Sequence, residues 1–595
     1  MKISFRFPAT PASEATRAYR RRVLLLAVIG IAVLPLAWRG PSCGQDFDFH
    51  LQNWLEVARS WHEGVVYPHW ASSPNYLAGE PRFVFYPPLS RFLGAALGCV
   101  LPWAWTPLLF TLACLLGAGW SFRAMAREWV GDDNAAFGGC LYVVNPYMMF
   151  LAYERGALAE LMAAIWIPLL VLYGLRAGRS LVPLALTVAA IWLTNAPAAV
   201  MGCYMLAVLV LVAAVQQRSW KEMAKLPVRA VGGVALGLAL AGFWLIPAVY
   251  EQRWVQIRLA LGPLMRVEDS FLFRLVPVGP GLSADDLFAI HYHNQVLRMA
   301  SWIAVALMTG AVAAAWLSRK RRNRLWLPLV AMGVVVCALQ FAWSDFAWRV
   351  TPKLEYLQFS WRWMLVLGMI FAAMVALVLR PEPPTRRGIA VRALIMLLLA
   401  GGMAGLTSAV FWQACDEEDN IAAQIRTMRS TGFEGTDEYT LDGVDLDEQA
   451  GVVGVLGSSS DGRVAVVNAA ALRDHRGWPP APNDHAWQLP AHVRIERWQT
   501  EHRTADVTTP TAAFAVLTLT DYPAWRVTRN GAEVKNLIRT GGMMAVPIEP
   551  GANHIDVTWR TTRDQWAGIV LSLCGVAITL ALSWSERRRK EVPVP

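Results

Sequence analysis

The chain has 595 residues, of which 55% are hydrophobic and 16% are charged, whereas an ordinary soluble protein carries about 25% charged residues. This composition excludes a soluble enzyme over most of the length and predicts a polytopic α-helical membrane protein with about 12 transmembrane helices. The net charge of +10 does not indicate a nucleic-acid partner, because the Lys and Arg residues stand in short clusters between apolar segments.

Several apolar stretches are long enough to cross a hydrocarbon core of about 30 Å as helices, at 1.5 Å per residue. The predicted helices cover residues 23–38, 105–123, 135–151, 157–175, 180–195, 197–215, 229–248, 298–317, 325–342, 361–379, 390–411 and 565–583. The segment from Pro88 to Leu101 is also apolar, but a full span there would invert every later loop. We therefore predict an interfacial or re-entrant helix at this segment.

The basic loops indicate the orientation. With a cytoplasmic N-terminus, every strongly basic short loop falls in the cytoplasm, including residues 319–324 and the tail at 587–590. This pattern predicts a multi-pass protein of the bacterial inner membrane. Loops 39–104 and 249–297 and the long stretch 412–563 are then periplasmic.

Three domains are predicted along the chain. Residues 1–411 form the transmembrane domain, and residues 564–595 contain the last transmembrane helix and a basic cytoplasmic tail. Residues 412–563 carry β-prone runs and a turn at Asn530-Gly531, which predict a periplasmic β-rich domain. Cys43 and Cys415 each follow a helix on the periplasmic side, where an oxidising environment permits a disulfide; spacing alone leaves the pairing open.

The first candidate site is in the first periplasmic loop. If residues after Gln45 are helical, Asp46 and His50 are four residues apart and share a face, while Asp48 points elsewhere. Such groups accept a proton, bind a metal or solvate a helix end. Asp46 is the preferred catalytic base, and a helix N-cap is its alternative role.

Two further clusters lie at predicted helix ends. Glu154, Arg155 and Glu160 form the first, and Glu160 lies about a turn inside an apolar segment, where an ionisable group usually faces a cavity or a partner. A structural ion pair is the alternative. The second cluster runs from Gln358 to Arg362. Its arginine can bind a phosphate through two N–H groups, or it can lie among interfacial aromatic residues with its charged end in water.

The sequence lacks a phosphate-binding Walker loop, a paired CxxC motif and a dinucleotide-binding glycine fingerprint. A soluble nucleotide cofactor is therefore not indicated. The sequence does not identify a cofactor, and a divalent metal ion is one candidate.

Four segments, residues 46–50, 85–89, 155–160 and 358–362, resemble the bacterial membrane proteins catalogued as 6-pyruvoyl-tetrahydropterin synthase-related. Those proteins in turn resemble GT-C glycosyltransferases, which use a polyprenyl-phosphate-linked sugar. The resemblance implies a base or metal ligand in the first loop, here Asp46 with Asp48 as the alternative. A pterin activity is not expected, because the clustered histidines of a zinc site are missing. Ser360 stands where the family pattern has Pro.

The resulting hypothesis is a GT-C-type glycosyltransferase that moves a sugar from a polyprenyl-phosphate donor to a periplasmic or lipid acceptor. The catalytic candidates are Asp46, Asp48, His50 and Glu160. The substrate-binding candidates are Glu154, Arg155, Tyr86, Gln358 and Arg362. Membrane lipid and an envelope protein are further candidate partners. The alternatives are a non-catalytic envelope scaffold or lipid-binding protein and, third, a transporter, which would need a pathway lined by paired charges.

Overall fold

The computed structural model describes residues 14–591 except 179, 218, 380–385, 458–461, 469–471, 473–486 and 488. Most of the described chain is helical. The α-helices before residue 200 are Glu14–Ala32, Leu34–Arg39, Phe47–His62, Arg82–Phe85, Pro88–Val100, Thr106–Val130, Asp132–Val143, Pro146–Met149, Leu158–Ala163, Trp166–Arg176, Val182–Trp192 and Ala196–Val215. The later α-helices are Trp220–Leu240, Gly242–Tyr250, Ala284–Ser318, Trp326–Ala338, Asp345–Val350, Met364–Val378, Arg386–Leu406, Ile421–Ser430, Leu446–Gly457 and Arg563–Glu591.

The described residues contain eight helices long and apolar enough to cross a membrane, or up to ten if two bent pairs each count as one span. This confirms a polytopic helical membrane protein, with fewer spans than the dozen predicted. Two predicted spans are shorter than expected: Val182–Trp192 has only 11 residues, and the first apolar stretch breaks between Ala32 and Leu34. The helix Trp326–Ala338 bends by 98° into its successor, which is the geometry of a broken span or re-entrant loop.

The segment predicted to lie at the interface forms the helix Pro88–Val100, which we call the interfacial helix. Its 13 residues cover about 20 Å, too little for a span of about 30 Å. It packs on the helix Phe47–His62, the site helix. A Cβ on Gly94 would lie 2.2 Å from the Trp54 ring, so glycine is required for this close approach.

The β domain consists of two antiparallel sheets. Its strands are β1 (Val464–Asn468), β2 (His492–Trp498), β3 (His502–Thr509), β4 (Ala513–Thr520), β5 (Trp525–Arg529), β6 (Ala532–Glu533), β7 (Ile538–Thr540), β8 (Met543–Ile548) and β9 (Gly551–Trp559). One sheet has the order β1-β4-β8-β7 and the other β2-β3-β9-β5-β6. The described strands of the stretch 412–563 begin only at Val464, because residues 421–457 form helices and turns.

The β domain is docked on the first loop of the membrane domain. The Thr520 hydroxyl donates to the Gly79 carbonyl at 2.8 Å, and the Thr500 backbone N–H donates to the Glu63 carboxylate at 2.6 Å. The indole of Trp70 is fully buried against the rings of Tyr522 and Trp525. These contacts fasten the first loop to the β domain.

A disulfide joins the start of the first loop to the end of the helical domain. The Cα atoms of Cys43 and Cys415 are 5.0 Å apart, within the usual range for a bridge. The Cys43 backbone N–H also donates to the Gln413 carbonyl at 3.2 Å. The pairing that the sequence left open is therefore made, and it holds the segment before Asp46 against the chain that follows the helix Arg386–Leu406.

A buried carboxyl also links the membrane domain to the β domain. Glu251 is fully buried; it accepts from the Tyr522 hydroxyl, and from Gln565 Nε2 at 3.1 Å. Burial, and then the neighbouring Asp564 carboxyl, raise the pKa of Glu251 to about 8. The folded protein therefore binds this proton more tightly than the unfolded chain, in which a Glu pKa is about 4.3.

This carboxyl gives the protein a pH-dependent stability. The contribution of the bound proton is complete below about pH 4.3 and is lost as the pH rises through about 8. We expect Glu251→Gln to gain several degrees in unfolding temperature over the wild type at pH 9, and little at pH 5. Thermal unfolding of the detergent-purified protein at both pH values measures this. The control is the exposed Glu533→Gln, and a gain that is equal at both pH values would contradict the assignment.

Candidate active site

Two adjoining cavities lie where the site helix meets the chain that precedes the β domain. The central cavity has a volume of about 540 Å³, and the acidic cavity about 1010 Å³. The side chains that line both are Phe49, Ala260, Gln358, Thr436 and Glu438. The remaining carboxylates of the acidic cavity are Asp48, Glu417, Glu418, Asp419, Glu434 and Asp437. The two cavities therefore share a wall and differ in charge.

The start of the site helix places Asp46 and His50 in the central cavity. The His50 backbone N–H donates to the Asp46 carbonyl at 3.2 Å, so the two are one helical turn apart, as predicted. The Asp46 carboxylate makes no capping bond; its Oδ2 accepts from Arg155 Nη2 at 3.0 Å. Asp46 is therefore held by an ion pair beside the cavity, and the N-cap alternative is wrong for its side chain.

Asp48 faces the acidic cavity instead. Its Oδ1 accepts from the Phe49 backbone N–H at 2.7 Å, and the described residues include no ion-pair partner for it. Burial, the largest cause, raises the pKa of Asp48. The two aspartates of the motif thus face different cavities.

His50 and Tyr86 form part of the wall beside Asp46. Their rings are 6.2 Å apart and meet edge to face. Burial lowers the pKa of His50 to about 4, so the imidazole is neutral at physiological pH. Burial, and secondarily the charge of Asp46, raise the pKa of the Tyr86 hydroxyl. Both groups therefore offer neutral hydrogen-bonding atoms to a bound molecule.

Glu160 and Arg362 also line the central cavity, next to each other. Glu160 is almost fully buried; its Oε1 accepts from the Tyr147 hydroxyl at 2.7 Å, and its Oε2 is 3.4 Å from Arg362 Nε. This ion pair is too poorly aligned for a hydrogen bond, since Arg362 Nε and Nη1 are buried without a hydrogen-bond partner in the described chain. Arg362 therefore has donors available for an anion.

Arg155 and Glu154 lie behind the cavity. Arg155 is about 1% exposed, and its guanidinium is 4.9 Å from the centre of the Phe359 ring, which Arg362 also approaches at 5.2 Å. The Glu154 carbonyl accepts from the Gln45 backbone N–H at 3.2 Å. Neither side chain lines either cavity, and the Arg155 guanidinium reaches the central cavity only through its ion pair with Asp46. Substrate binding by Glu154 and Arg155 stays a prediction.

The turn before Arg362 is fixed by Ser270. The Ser360 backbone N–H donates to Ser270 Oγ at 2.8 Å, and Ser360 Oγ donates to the Ser270 carbonyl at 2.6 Å. Proline has neither donor, so serine supports this turn by a different set of bonds. Gln358 has a φ of 63°, and its Nε2 donates to the Ala260 carbonyl at 2.7 Å. Its side chain is therefore used in holding the wall.

Glu438 and Tyr439 also line the central cavity, although the sequence did not indicate them. They belong to the segment that precedes the β domain, and they close one side of the cavity. Burial raises the pKa of Glu438 to about 7, with the Glu80 carboxylate as a smaller cause. Tyr439 stacks on Phe85 at 5.4 Å. The acidic composition of residues 434–438 was a signal, but only the fold brings this segment to the cavity.

The cavity carboxylates do not form a ready metal site. Among the described residues, the only group of three whose ligand atoms lie within 4.8 Å of one another is Glu496, Asp506 and His554, on the surface of the β domain. Asp46 is paired with Arg155, and Asp48 faces the other cavity. The arrangement therefore fits proton transfer and anion binding better than metal coordination.

Comparison with known proteins supports the resemblance for part of the chain. Residues 83–271 match the family described as 6-pyruvoyl-tetrahydropterin synthase related domain, membrane protein. No curated protein matches the chain.

Several solved structures are similar at low identity, and they are GT-C glycosyltransferases. The arabinofuranosyltransferase AftD from Mycobacteria is 15% identical with a TM-score of 0.44, over 76% of this chain and 34% of AftD. The oligosaccharyltransferase AglB from Archaeoglobus fulgidus, in complex with an inhibitory peptide and a dolichol-phosphate, is 12% identical with a TM-score of 0.41, over 75% of this chain and 59% of AglB. ArnT from Cupriavidus metallidurans is 15% identical with a TM-score of 0.38, over 70% of this chain and 78% of ArnT. The chain thus spans about a third of AftD and under two thirds of AglB.

Proposed function

We propose that the protein is a membrane glycosyltransferase that moves a sugar from a polyprenyl-phosphate donor to an acceptor in the periplasm or the membrane. One observation carries the proposal: the central cavity holds a buried arginine with unused donors, Arg362, together with a carboxylate, Asp46. This transfer needs a group that stabilises the leaving phosphate, which Arg362 would be, and a base for the acceptor hydroxyl, which Asp46 would be.

The wall of the cavity suits an isoprenoid chain. Trp244, Leu245 and Val249 contribute apolar surface from the helix Gly242–Tyr250. Val249 is 61% exposed, so the cavity opens to the protein surface there, just after the span Met223–Leu240. A lipid tail can therefore lie along the bilayer while its phosphate reaches Arg362. The acceptor enters from the wide acidic cavity.

In the proposed reaction, Asp46 takes the proton of the acceptor hydroxyl while the acceptor oxygen attacks the anomeric carbon. The bond between that carbon and the phosphate oxygen breaks, and polyprenyl phosphate leaves with the electron pair. Arg362 stabilises the negative charge of the leaving phosphate. Arg155 positions Asp46, Glu160 positions Arg362, and the neutral His50 is a hydrogen-bonding partner for the sugar.

The proposal is tested by comparing envelope glycans and lipid-linked sugars of a deletion strain with those of the same strain rescued by the wild-type protein. We expect a specific sugar to be missing and a polyprenyl-phosphate sugar to accumulate in the deletion strain, with both reversed on rescue. Unchanged glycans, together with a stable partner recovered by crosslinking, would favour the non-catalytic scaffold instead.

The proposed reaction also requires the cavities and the β domain to face the periplasm. In a background with Cys99 and Cys574 replaced by Ser, we expect Asn530→Cys to react with a membrane-impermeant maleimide in cells with a permeabilised outer membrane. The matched variant Arg588→Cys, at the far end of the last helix, should react only after lysis. The reverse labelling pattern would exclude a periplasmic active site.

A further inference from the structure

Three side chains that can bind a metal ion meet on the outer face of the five-stranded sheet of the β domain. They are Glu496 on β2, Asp506 on β3 and His554 on β9, and their ligand atoms all lie within 4.8 Å of one another. None of the three lines the central cavity or the acidic cavity. This group, which we call the sheet cluster, is therefore separate from the proposed sugar transfer.

The pairing of β3 with β9 brings two members of the sheet cluster together. Asp506 and His554 are direct partners in the antiparallel register, and His554 Nδ1 is 2.7 Å from Asp506 Oδ1. The neighbours of the aspartate on β3, Ala505 and Val507, are buried, so alternation along the strand turns Asp506 outward. Direct cross-strand partners have Cβ atoms about 5 Å apart, which lets both side chains reach one ion.

A β-bulge in β2 supplies the third side chain. The register with β3 shifts between Ile495 and Arg497, so Glu496 is an extra residue without a direct partner on β3. Glu496 and Arg497 are both exposed, whereas regular alternation would expose only one of two consecutive residues. Bulges commonly re-aim a side chain. Here the bulge brings the Glu496 carboxylate to the other two members of the sheet cluster.

The sheet cluster is accessible from solvent. The exposed fractions of the side chains are 38% for Glu496, 40% for Asp506 and 45% for His554. Arg494 approaches the Glu496 carboxylate at 3.7 Å, but the arginine side chain is 70% exposed, and ion pairs of this kind contribute little to stability. A metal ion can therefore reach the three ligand atoms and displace this arginine.

The types of ligand favour Zn²⁺ over the alkaline-earth ions. One imidazole and two carboxylates give three protein ligands, with the fourth position of a tetrahedral site left for water. Ca²⁺ and Mg²⁺ prefer oxygen ligands alone. Zinc bonds of about 2.0–2.1 Å set tetrahedral ligand atoms about 3.3 Å apart. Small rotations of these exposed side chains bring the sheet cluster to that geometry.

We propose that Glu496, Asp506 and His554 bind a Zn²⁺ ion that fastens β2 to the rest of the sheet. In the strand order β2-β3-β9-β5-β6, β2 is an edge strand of the described sheet. An ion held by β2, β3 and β9 ties this edge to two inner strands, and its binding free energy adds to the stability of the folded domain. The ion is a structural ligand of the β domain and takes no part in the proposed transfer.

Isothermal titration calorimetry of the full-length protein, treated with a chelator and held in neutral detergent, tests the proposal. The background carries Cys99→Ser and Cys574→Ser, which removes the exposed thiols as competing ligands. We expect one Zn²⁺ to bind per chain, and no binding of Ca²⁺ at the same concentration. His554→Ala and the nearly isosteric Glu496→Gln should each weaken Zn²⁺ binding about tenfold or more, since each removes a ligand.

The matched control is His492→Ala, which removes another exposed histidine of β2 outside the sheet cluster and should keep the wild-type affinity. Glu496→Gln provides the test if His554→Ala fails to fold. Saturating Zn²⁺ should raise the unfolding temperature of the wild type and of His492→Ala, but not of His554→Ala.

Two results would overturn the zinc site: no binding of Zn²⁺ to the wild type, or equal Zn²⁺ affinity of the wild type and both ligand variants. Binding of Ca²⁺ as tight as that of Zn²⁺ would overturn the assignment of the ion. Intact Zn²⁺ binding without a rise in unfolding temperature would overturn the stabilising role. Because binding is measured without sugar transfer, failure here is distinct from failure of the proposed enzyme activity.

Discussion

Asp46→Asn is expected to lower sugar transfer by about 100- to 10,000-fold, the usual contribution of a general base. Asparagine has nearly the same shape, and its amide oxygen can still accept from Arg155 Nη2. The variant should therefore fold, form the Cys43–Cys415 disulfide and bind the donor, but not take the acceptor proton. Initial rates with a polyprenyl-phosphate sugar, at saturating donor and acceptor, measure the loss.

The variant Asp48→Asn discriminates between the two aspartates, since Asp48 faces the acidic cavity and lies outside the cavity of Arg362. We expect its main effect on the KM of the acceptor. Asp442→Asn, at an exposed carboxylate that lines neither cavity, is the control for a lost charge. A folded Asp46→Asn protein with full transfer would eliminate Asp46 as the base, and a large loss of kcat in Asp48→Asn alone would assign that role to Asp48.

Arg362→Ala is expected to lower kcat/KM by about 100- to 1,000-fold, the usual loss when one donor to a developing negative charge is removed. The guanidinium has unused donors in the cavity, so its removal costs stabilisation of the leaving phosphate. Initial rates over a range of donor concentrations separate KM from kcat, and binding of polyprenyl phosphate alone reports the anion contact directly.

Removing Arg362 also leaves Glu160 without its cation, although the Tyr147 hydroxyl still donates to it. Arg362→Lys keeps that charge and tests whether bidentate donors matter; it should recover part of the activity. Arg274→Ala, at an exposed arginine, should behave as wild type. Unchanged polyprenyl phosphate binding by folded Arg362→Ala would show that the phosphate binds elsewhere.

Local patterns in the sequence predicted much of the site. The spacing of Asp46 and His50 gave a shared helix face, and a carboxylate inside an apolar segment, Glu160, proved to be paired with Arg362 in a cavity wall. Burying an ionisable group costs free energy, so such a group occurs within an apolar segment mainly where it faces a cavity or a partner. Its position in the sequence therefore indicates a site. The short length of the interfacial helix was likewise predictable from the basic loops.

Features that depend on contacts between distant residues were not predictable. Glu438 and Tyr439 close the central cavity although they follow Asp46 by most of the chain. Hydropathy could not show that the stretch after Trp326 bends by 98°. An apolar composition indicates that a segment is buried, but the direction of the helix depends on its packing against neighbours. The helical segment 421–457 was included in the β domain, since short amphipathic helices and strands have similar average compositions.

The closure of the central cavity by residues 436–439 has a consequence for biosynthesis. A nascent chain that has left the ribosome only as far as the helix Arg386–Leu406 already carries Asp46 and Arg362, but it lacks this wall and the cysteine that tethers the first loop. Asp46 and Arg362 then lack the cover that residues 436–439 give them in the complete protein. Under the proposed function, a prematurely terminated chain would therefore be inert.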